Sequence, residues 1–220
     1  MMTINTIKTS PNILFRKIRG FCFRPYFDII ICLLMFIFIV PVRAGDYVCM
    51  EAESALNIEY PMRVACEDGD AVSDKWPIVT GASGSCYLEI PQGSGNPPEI
   101  EKGYATIKFI VLKDATYHLW CRIWWADECG NSLTMTIDDG APFTFGQNST
   151  FKCWHWVKMK RRLSQLDLSK GAHVLKIINR EDGVRIDQIL FTDNHKHVPV
   201  GKETVTVLPA PIVVNKGNTL

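Results

Sequence analysis

The feature that most constrains this chain is a succession of short runs in which apolar and polar residues alternate, each closed by turn residues. Such runs occupy 47–53, 86–90, 105–112, 117–125, 132–137, 172–178 and 184–191. A period of two sends successive side chains to opposite faces of an extended strand, so each run can bury one face and wet the other. Between the runs stand Lys113-Asp114, Asp138-Asp-Gly140, Lys170-Gly171 and Glu181-Asp-Gly183. Asp-Gly between alternating runs is a hairpin signal, because both central positions of the tight turn must accept positive φ. No window of a dozen residues carries the 3.6-residue period of an amphipathic helix, and there is no internal repeat. Many short strands at a spacing of roughly 8–12 residues predict an all-β fold, an antiparallel sandwich or barrel.

The two ends differ from this body. Residues 29–40 are apolar and uncharged, follow a basic region and precede Pro41-Val-Arg-Ala44. A membrane-spanning helix needs about 20 apolar residues. The shorter run therefore reads as the centre of a secretory signal over 1–44, cleaved after Ala44. An uncleaved anchor is the alternative, and the leader is then the only part expected to meet a membrane. The expected location is secreted, periplasmic or cell-surface. The domain is expected over 45–199. Residues 200–220, with Pro209, Pro211 and a polar end, read as a linker or flexible tail.

Charge follows the same division. The chain has 24 basic and 23 acidic residues; 1–44 holds six of the former and one of the latter, leaving 18 against 22, a net of −4, over 45–220. A mildly acidic domain is not built to bind nucleic-acid phosphates. Six cysteines remain after the leader: Cys49, Cys66, Cys86, Cys121, Cys129 and Cys153. In an oxidising compartment an even number favours disulfides, although six allow 15 pairings, and some can be buried thiols. The close Cys-x-x-Cys pairs of a zinc site are absent.

Three carboxylates stand out. Glu51 and Glu53 lie two apart in the first run and so share a face, and Asp187 interrupts the apolar last run. A buried acid needs a partner. Together with backbone carbonyls the three could hold a hard cation such as calcium; the alternative pairs them with Arg63, Arg122 or Arg185. As a glycosidase pair, two neighbours on one strand near the chain start are poor candidates, because the reaction needs carboxylates about 5–9 Å apart across a cleft. Six tryptophans follow the leader: Trp76, Trp120, Trp124, Trp125, Trp154 and Trp156. Indole faces stack on sugar rings, and packing in a core is the plainer role for any one of them. Trp124 and Trp125 have opposite parity, so one of the two must face away from the core. Asp127, Glu128 and Asn131 follow at a strand end, where binding groups are commonly displayed. The five histidines form no metal or triad spacing, and there is no G-x-S-x-G, phosphate loop or H-E-x-x-H. The short basic run 158–162 reads as a solvated edge, and Asn148-Ser-Thr150 is a formal glycosylation sequon.

Taken together, these residues resemble a known family. Met50-Glu-Ala-Glu53, Gly103-Tyr104, Asp114-Ala-Thr-Tyr-His-Leu-Trp-Cys-Arg-Ile-Trp124, Leu168-Ser-Lys-Gly-Ala-His-Val-Leu-Lys-Ile and Gly183-Val-Arg-Ile-Asp187 are similar to family 6 and family 35 carbohydrate-binding modules, the galactose-binding-like jelly rolls. The similarity spans roughly 47–199. It implies a jelly-roll sandwich whose first and last strands are neighbours. It also implies a structural calcium held at Glu51, Glu53 and Asp187, and a polysaccharide or glycan ligand bound by aromatics with Asn or Asp. Matching positions are Trp125, Asn131, Trp154 and Trp156, which join Trp124 and Asp127 from the reading above as the candidate carbohydrate-binding residues. The resulting expectation is an exported, non-catalytic carbohydrate-binding module. The rival is a cell-surface structural or protein-interaction sandwich without sugar binding, and its cue would be burial of those tryptophans.

Overall fold

The computed structural model describes residues 47–98, 102–160 and 165–206, all within the compact unit Ala44–Leu220. The expected signal over 1–44 lies outside the described residues, as does the tail after 206. Among the described residues no helix is long and apolar enough to cross a membrane.

The alternating runs become strands. In chain order these are β1 (Tyr47–Glu51), β2 (Arg63–Cys66), β3 (Cys86–Ile90), β4 (Tyr104–Val111), β5 (Ala115–Trp125) and β6 (Ser132–Ile137). Then follow β7 (Phe143–Gly146), β8 (His155–Lys158), β9 (Leu166–Leu168), β10 (Gly171–Ile178) and β11 (Val184–Thr192). They form two antiparallel sheets of a jelly-roll sandwich. The larger has the order β2-β3-β11-β5-β8, with β1 also on β11 and β9 also on β5; the smaller has the order β4-β10-β6-β7. First and last strands are neighbours, with Tyr47 opposite Thr192 and Glu51 opposite Gln188.

The period of two decides what is buried. From β5, Tyr117, Leu119, Cys121, Ile123 and Trp125 face inward; from β4, Ala105, Ile107, Phe109 and Val111 meet them. Phe109 stacks on Phe191 between the sheets, with ring centroids 4.2 Å apart and planes 9° apart. Each such side chain removed from water is worth roughly 1.5–3 kcal/mol, so this interleaved layer holds the sandwich together. Strand β11 is buried along its whole length. Its register against β5 slips between Ile186 and Gln188. The bulge lets Ile186 and Ile189 both reach the core while Asp187 and Gln188 both bond to groups beyond the outer face.

One of the Asp-Gly signals marks a hairpin and the other does not. Asp139-Gly140 joins the paired strands β6 and β7. Asp182-Gly183 instead carries the chain from the smaller sheet to the larger. There Asp182 Oδ2 accepts from the backbone N–H groups of Gly93 (3.0 Å) and Gly95 (2.8 Å). Gly183 has φ +79°, and a Cβ on it would sit 2.9 Å from that of Ala126. The residue is needed for close approach between loops.

Residues 67–85 fold over the outer face of the larger sheet. Their ends are closed by a Cys66–Cys86 disulfide between directly opposed residues of β2 and β3. Cys49 and Cys121 are buried thiols, and Cys129 and Cys153 are exposed and unpaired. Burial pushes the Cys49 thiol up to about 12 and Cys121 well above its usual value, which keeps both unreactive. Thiol titration of denatured, unreduced 45–220 is therefore expected to find four thiols. Replacing Cys66 and Cys86 together by serine is expected to cost about 3 kcal/mol, for a loop of 20 residues. Six titratable thiols, or an unchanged denaturation midpoint, would rule this pairing out.

The chain after 199, expected as a linker or tail, begins as part of the domain. Thr206 N donates to Cys49 O (2.8 Å), and Glu203 and Gln188 exchange two hydrogen bonds of 2.9 Å.

Candidate functional site

Strand β5 sends Trp120, Arg122 and Trp124 to the outer face of the larger sheet. Trp124 lies opposite Arg185 of β11 and meets Trp76 edge to face, with centroids 5.6 Å apart and planes at 84°. Trp76 comes from the 67–85 loop. The fully buried Arg185 guanidinium lies 3.6 Å from the Trp76 ring centre and 4.4 Å from that of Trp124. Its Nε donates to Glu89 Oε2 (3.1 Å), which also accepts from Trp76 Nε1 (2.9 Å). Glu89 Oε1 accepts from Arg63 Nε (2.8 Å). Glu89 is 1% exposed; its charge is tolerable there because two guanidiniums and an indole N–H surround it.

Above this ion group lies a cleft of about 440 Å³ whose aromatic floor is Trp76 and Trp124. Lys75, Pro77, Gln92 and Lys152 contribute to its walls, with Asp127 and Ala126. Gln92 Nε2 donates to Asp127 Oδ2 (2.9 Å), while Asp127 Oδ1 accepts from the N–H groups of Cys129 (2.9 Å) and Gly130 (3.1 Å). A concave site with an indole face and a few fixed polar groups can seat one sugar ring and orient its hydroxyls.

The six ligand residues expected from the sequence do not converge. Trp124 and Asp127 share the cleft. Trp125 is wholly buried, a correction to its expected role: it points into the core and its Nε1 donates to Asn148 Oδ1 (2.7 Å). Asn148 Nδ2 in turn meets His155 Nε2 at 2.9 Å, so the sequon asparagine is a packing element. Asn131 ties loops: its N–H donates to Glu181 Oε2 (3.0 Å), and its carbonyl accepts from Gln147 N (2.8 Å). Trp154 packs against Tyr87 with centroids 5.5 Å apart and donates to Thr80 O (3.0 Å), pinning the 67–85 loop. Trp156 donates to Gly201 O (2.9 Å), pinning the C-terminal segment. Trp76, Lys75, Gln92 and Lys152 were not singled out as ligands. A tryptophan between Lys75 and Pro77 in a run without strand pattern was the available signal for the first of them.

The carboxylates form a second cluster on the same outer face. The expectation that Glu51 and Glu53 share a strand face is not met, since β1 ends at Glu51 and Glu53 sits in a 3-10 turn, Ala52–Ser54. Even so, their charges meet. Burial first, and the charges of Glu51 and Asp187 after it, push the Glu53 carboxyl up to about 8. Glu51 Oε1 accepts from Ser83 Oγ (2.6 Å) and Gln188 Nε2 (3.2 Å). Asp187 accepts from Ser83 N (2.7 Å) and pairs with Arg122, which also donates to Gly81 O (3.2 Å). Burial nonetheless lifts the Asp187 carboxyl to about 6. Glu51 Oε2 and Glu53 Oε2 are buried without a hydrogen-bond partner. Among the described residues no three His, Cys, Asp or Glu groups converge closely enough to hold an ion by themselves. The two orphaned oxygens fit the donor chemistry of a hard cation completed by carbonyls or water. Of the arginine pairings weighed for these acids, Arg122–Asp187 forms, while Arg63 and Arg185 turn to Glu89.

Neither a protein-family model nor a curated protein matches the sequence. Solved structures do show similarity. A family 35 carbohydrate binding module from Clostridium thermocellum is 15% identical, with TM-score 0.48, over 66% of this chain and 97% of that one. A GH26-CBM35 β-(1,4)-mannanase of Podospora anserina is 19% identical, TM-score 0.48, over 70% of this chain and 29% of that one. An exo-β-1,3-galactanase of Phanerochaete chrysosporium is 13% identical, TM-score 0.49, over 67% and 29%. This chain thus spans under a third of either enzyme.

Proposed function

We propose that the domain is an exported, non-catalytic carbohydrate-binding module. A sugar ring of a polysaccharide or glycan stacks on the Trp124 face of the cleft, and Gln92 and Asp127 read its hydroxyls. The observation that carries this reading is the cleft itself: a half-buried indole, a pre-oriented amide–carboxylate pair and room for a sugar ring. The leader pattern and the disulfide between opposed strand residues favour an oxidising, extracellular setting. Glu51, Glu53 and Asp187 hold a structural calcium together with backbone carbonyls, and it relieves the two orphaned carboxylate oxygens. A bound calcium would supply charge neutralisation there and nothing else.

A glycan array probed with calcium-loaded 45–220 tests the reading. Wild type is expected to bind at least one glycan class, and Trp124→Ala to weaken that binding by tenfold or more, about 1.4 kcal/mol, with its melting curve retained. Trp154→Ala, by contrast, should lower stability before it lowers affinity. A blank array from folded wild-type protein would favour a protein-interaction sandwich.

A further inference from the structure

The cleft carries an excess of positive charge that a neutral sugar does not need. Lys75 and Lys152 line it from two different loops. Neither ammonium has a hydrogen-bond, ion-pair or ring partner among the described residues. The single carboxylate on the cleft wall, Asp127, already accepts from Gln92, Cys129 N and Gly130 N. Asp74 and Glu128 are exposed and do not line the cleft. Beneath the floor, Glu89 is shared between Arg63 and Arg185, so that ion group keeps one positive charge of its own. Arg185 Nη1 is buried with no partner. This concentration of cations sits on a domain whose overall charge over 45–220 is −4, so it is local and not a property of the whole surface.

The kind of cation narrows the kind of anion. A planar carboxylate is best held by a free guanidinium fork, whereas lysine ammoniums act as point charges that can approach from different directions. Here the Arg185 guanidinium beneath the cleft has Nε committed to Glu89 and Nη2 to the carbonyl of Pro77. What remains is two point charges from different loops lining a cleft floored by indole. A sulfate ester presents three oxygens in a tetrahedron and can accept from both ammoniums while its sugar ring lies on the indole.

We propose that the occupant of this cleft is a sulfate-bearing sugar, with Lys75 and Lys152 clasping the sulfate over Trp124. The inference rests on the cleft being the carbohydrate site and goes beyond it in naming the ligand's charge and its form.

The test compares three soluble polymers by isothermal titration: a sulfated galactan, the same galactan after desulfation, and polygalacturonate. The sulfated polymer is expected to bind at least about tenfold more tightly than either of the others, and to weaken as salt rises from about 0.05 to about 0.5 M. Lys75→Gln and Lys152→Gln should each weaken it by about threefold to tenfold without moving the melting temperature, with Lys→Arg at either position restoring most of the affinity. Lys176→Gln, on the outer face of the smaller sheet, should change nothing and so exclude general attraction to a polyanion. Equal binding to the desulfated galactan, or tighter binding to polygalacturonate, overturns the sulfate assignment and leaves the carbohydrate reading standing. If none of the three binds and the glycan array is also blank, the carbohydrate reading falls, and this inference falls with it.

Discussion

Replacing Glu89 by alanine is expected to destabilise the domain by about 3–5 kcal/mol, the range seen when one partner is removed from a buried ion group. The carboxylate bonds two arginines and one indole. Without it the fully buried Arg185 keeps its charge between two tryptophan faces, with Pro77 O as its remaining acceptor. Arg63→Ala should cost much less, about 1 kcal/mol or under, because its side chain is 36% exposed and water replaces its partner. Chemical denaturation of both variants checks the contrast. A loss below about 1 kcal/mol for Glu89→Ala would mean that water reaches the ion group, and the rigid aromatic floor inferred above would then lack its support. In a folded but weakened variant, the cleft should suffer first, since Trp76 loses the acceptor of its indole N–H and the anion that holds Arg185 against its ring.

In the presence of a chelator, stability is expected to fall as pH rises from about 5 to about 8.5. The folded-state carboxyl of Glu53 is raised to about 8 and that of Asp187 to about 6, both above the ordinary carboxylate values of about 4. The folded state therefore holds protons that the unfolded chain has released. Stability from this source is fully present below the unfolded pKa and is lost as pH climbs through the folded pKa. Calcium should reverse the loss, because a cation that binds only the folded state stabilises it and takes the place of the proton. The rise in melting temperature on adding calcium should thus be large at pH 8 and small at pH 5. Glu53→Gln should flatten the pH profile and abolish most of the calcium response. A melting temperature that ignores both pH in chelator and added calcium would dismiss the cation site and leave Arg122 as the cluster's whole compensation.

Both predictions depend on residues whose significance the chain shows unequally. The seven alternating runs became β1, β3, β4, β5, β6, β10 and β11 within a residue or two of their expected limits, because alternation over five or more positions is a local property that burial on one face enforces. Strands β2, β7, β8 and β9, of three or four residues each, were not legible: so short a run shows no period, and pairing with a longer neighbour creates the strand. The charges of Glu51 and Asp187 act on Glu53, but among the described residues no three acids converge closely enough to hold an ion by themselves. Of the aromatic candidates, Trp124 alone lines the cleft. Parity correctly separated Trp124 from Trp125 but could not say which face was covered, and it gave no hint that Trp154 and Trp156 would spend their indole N–H groups on pinning neighbouring segments.

The sequence by itself determined an all-β fold of short antiparallel strands, the inward set on each long strand and the turn at Asp139-Gly140, since all of these follow from side-chain period and backbone preference within a few residues. The tertiary structure alone decided where Asp187 and Gln188 point, through the bulge in β11. It also decided that Trp76 in the 67–85 loop reaches Trp124, and that Glu89 gathers Arg63 and Arg185 into one buried group. Those arrangements join residues far apart in the chain across strand order and loop paths. Their energies depend on desolvation and charge in a shared interior, which no local pattern records.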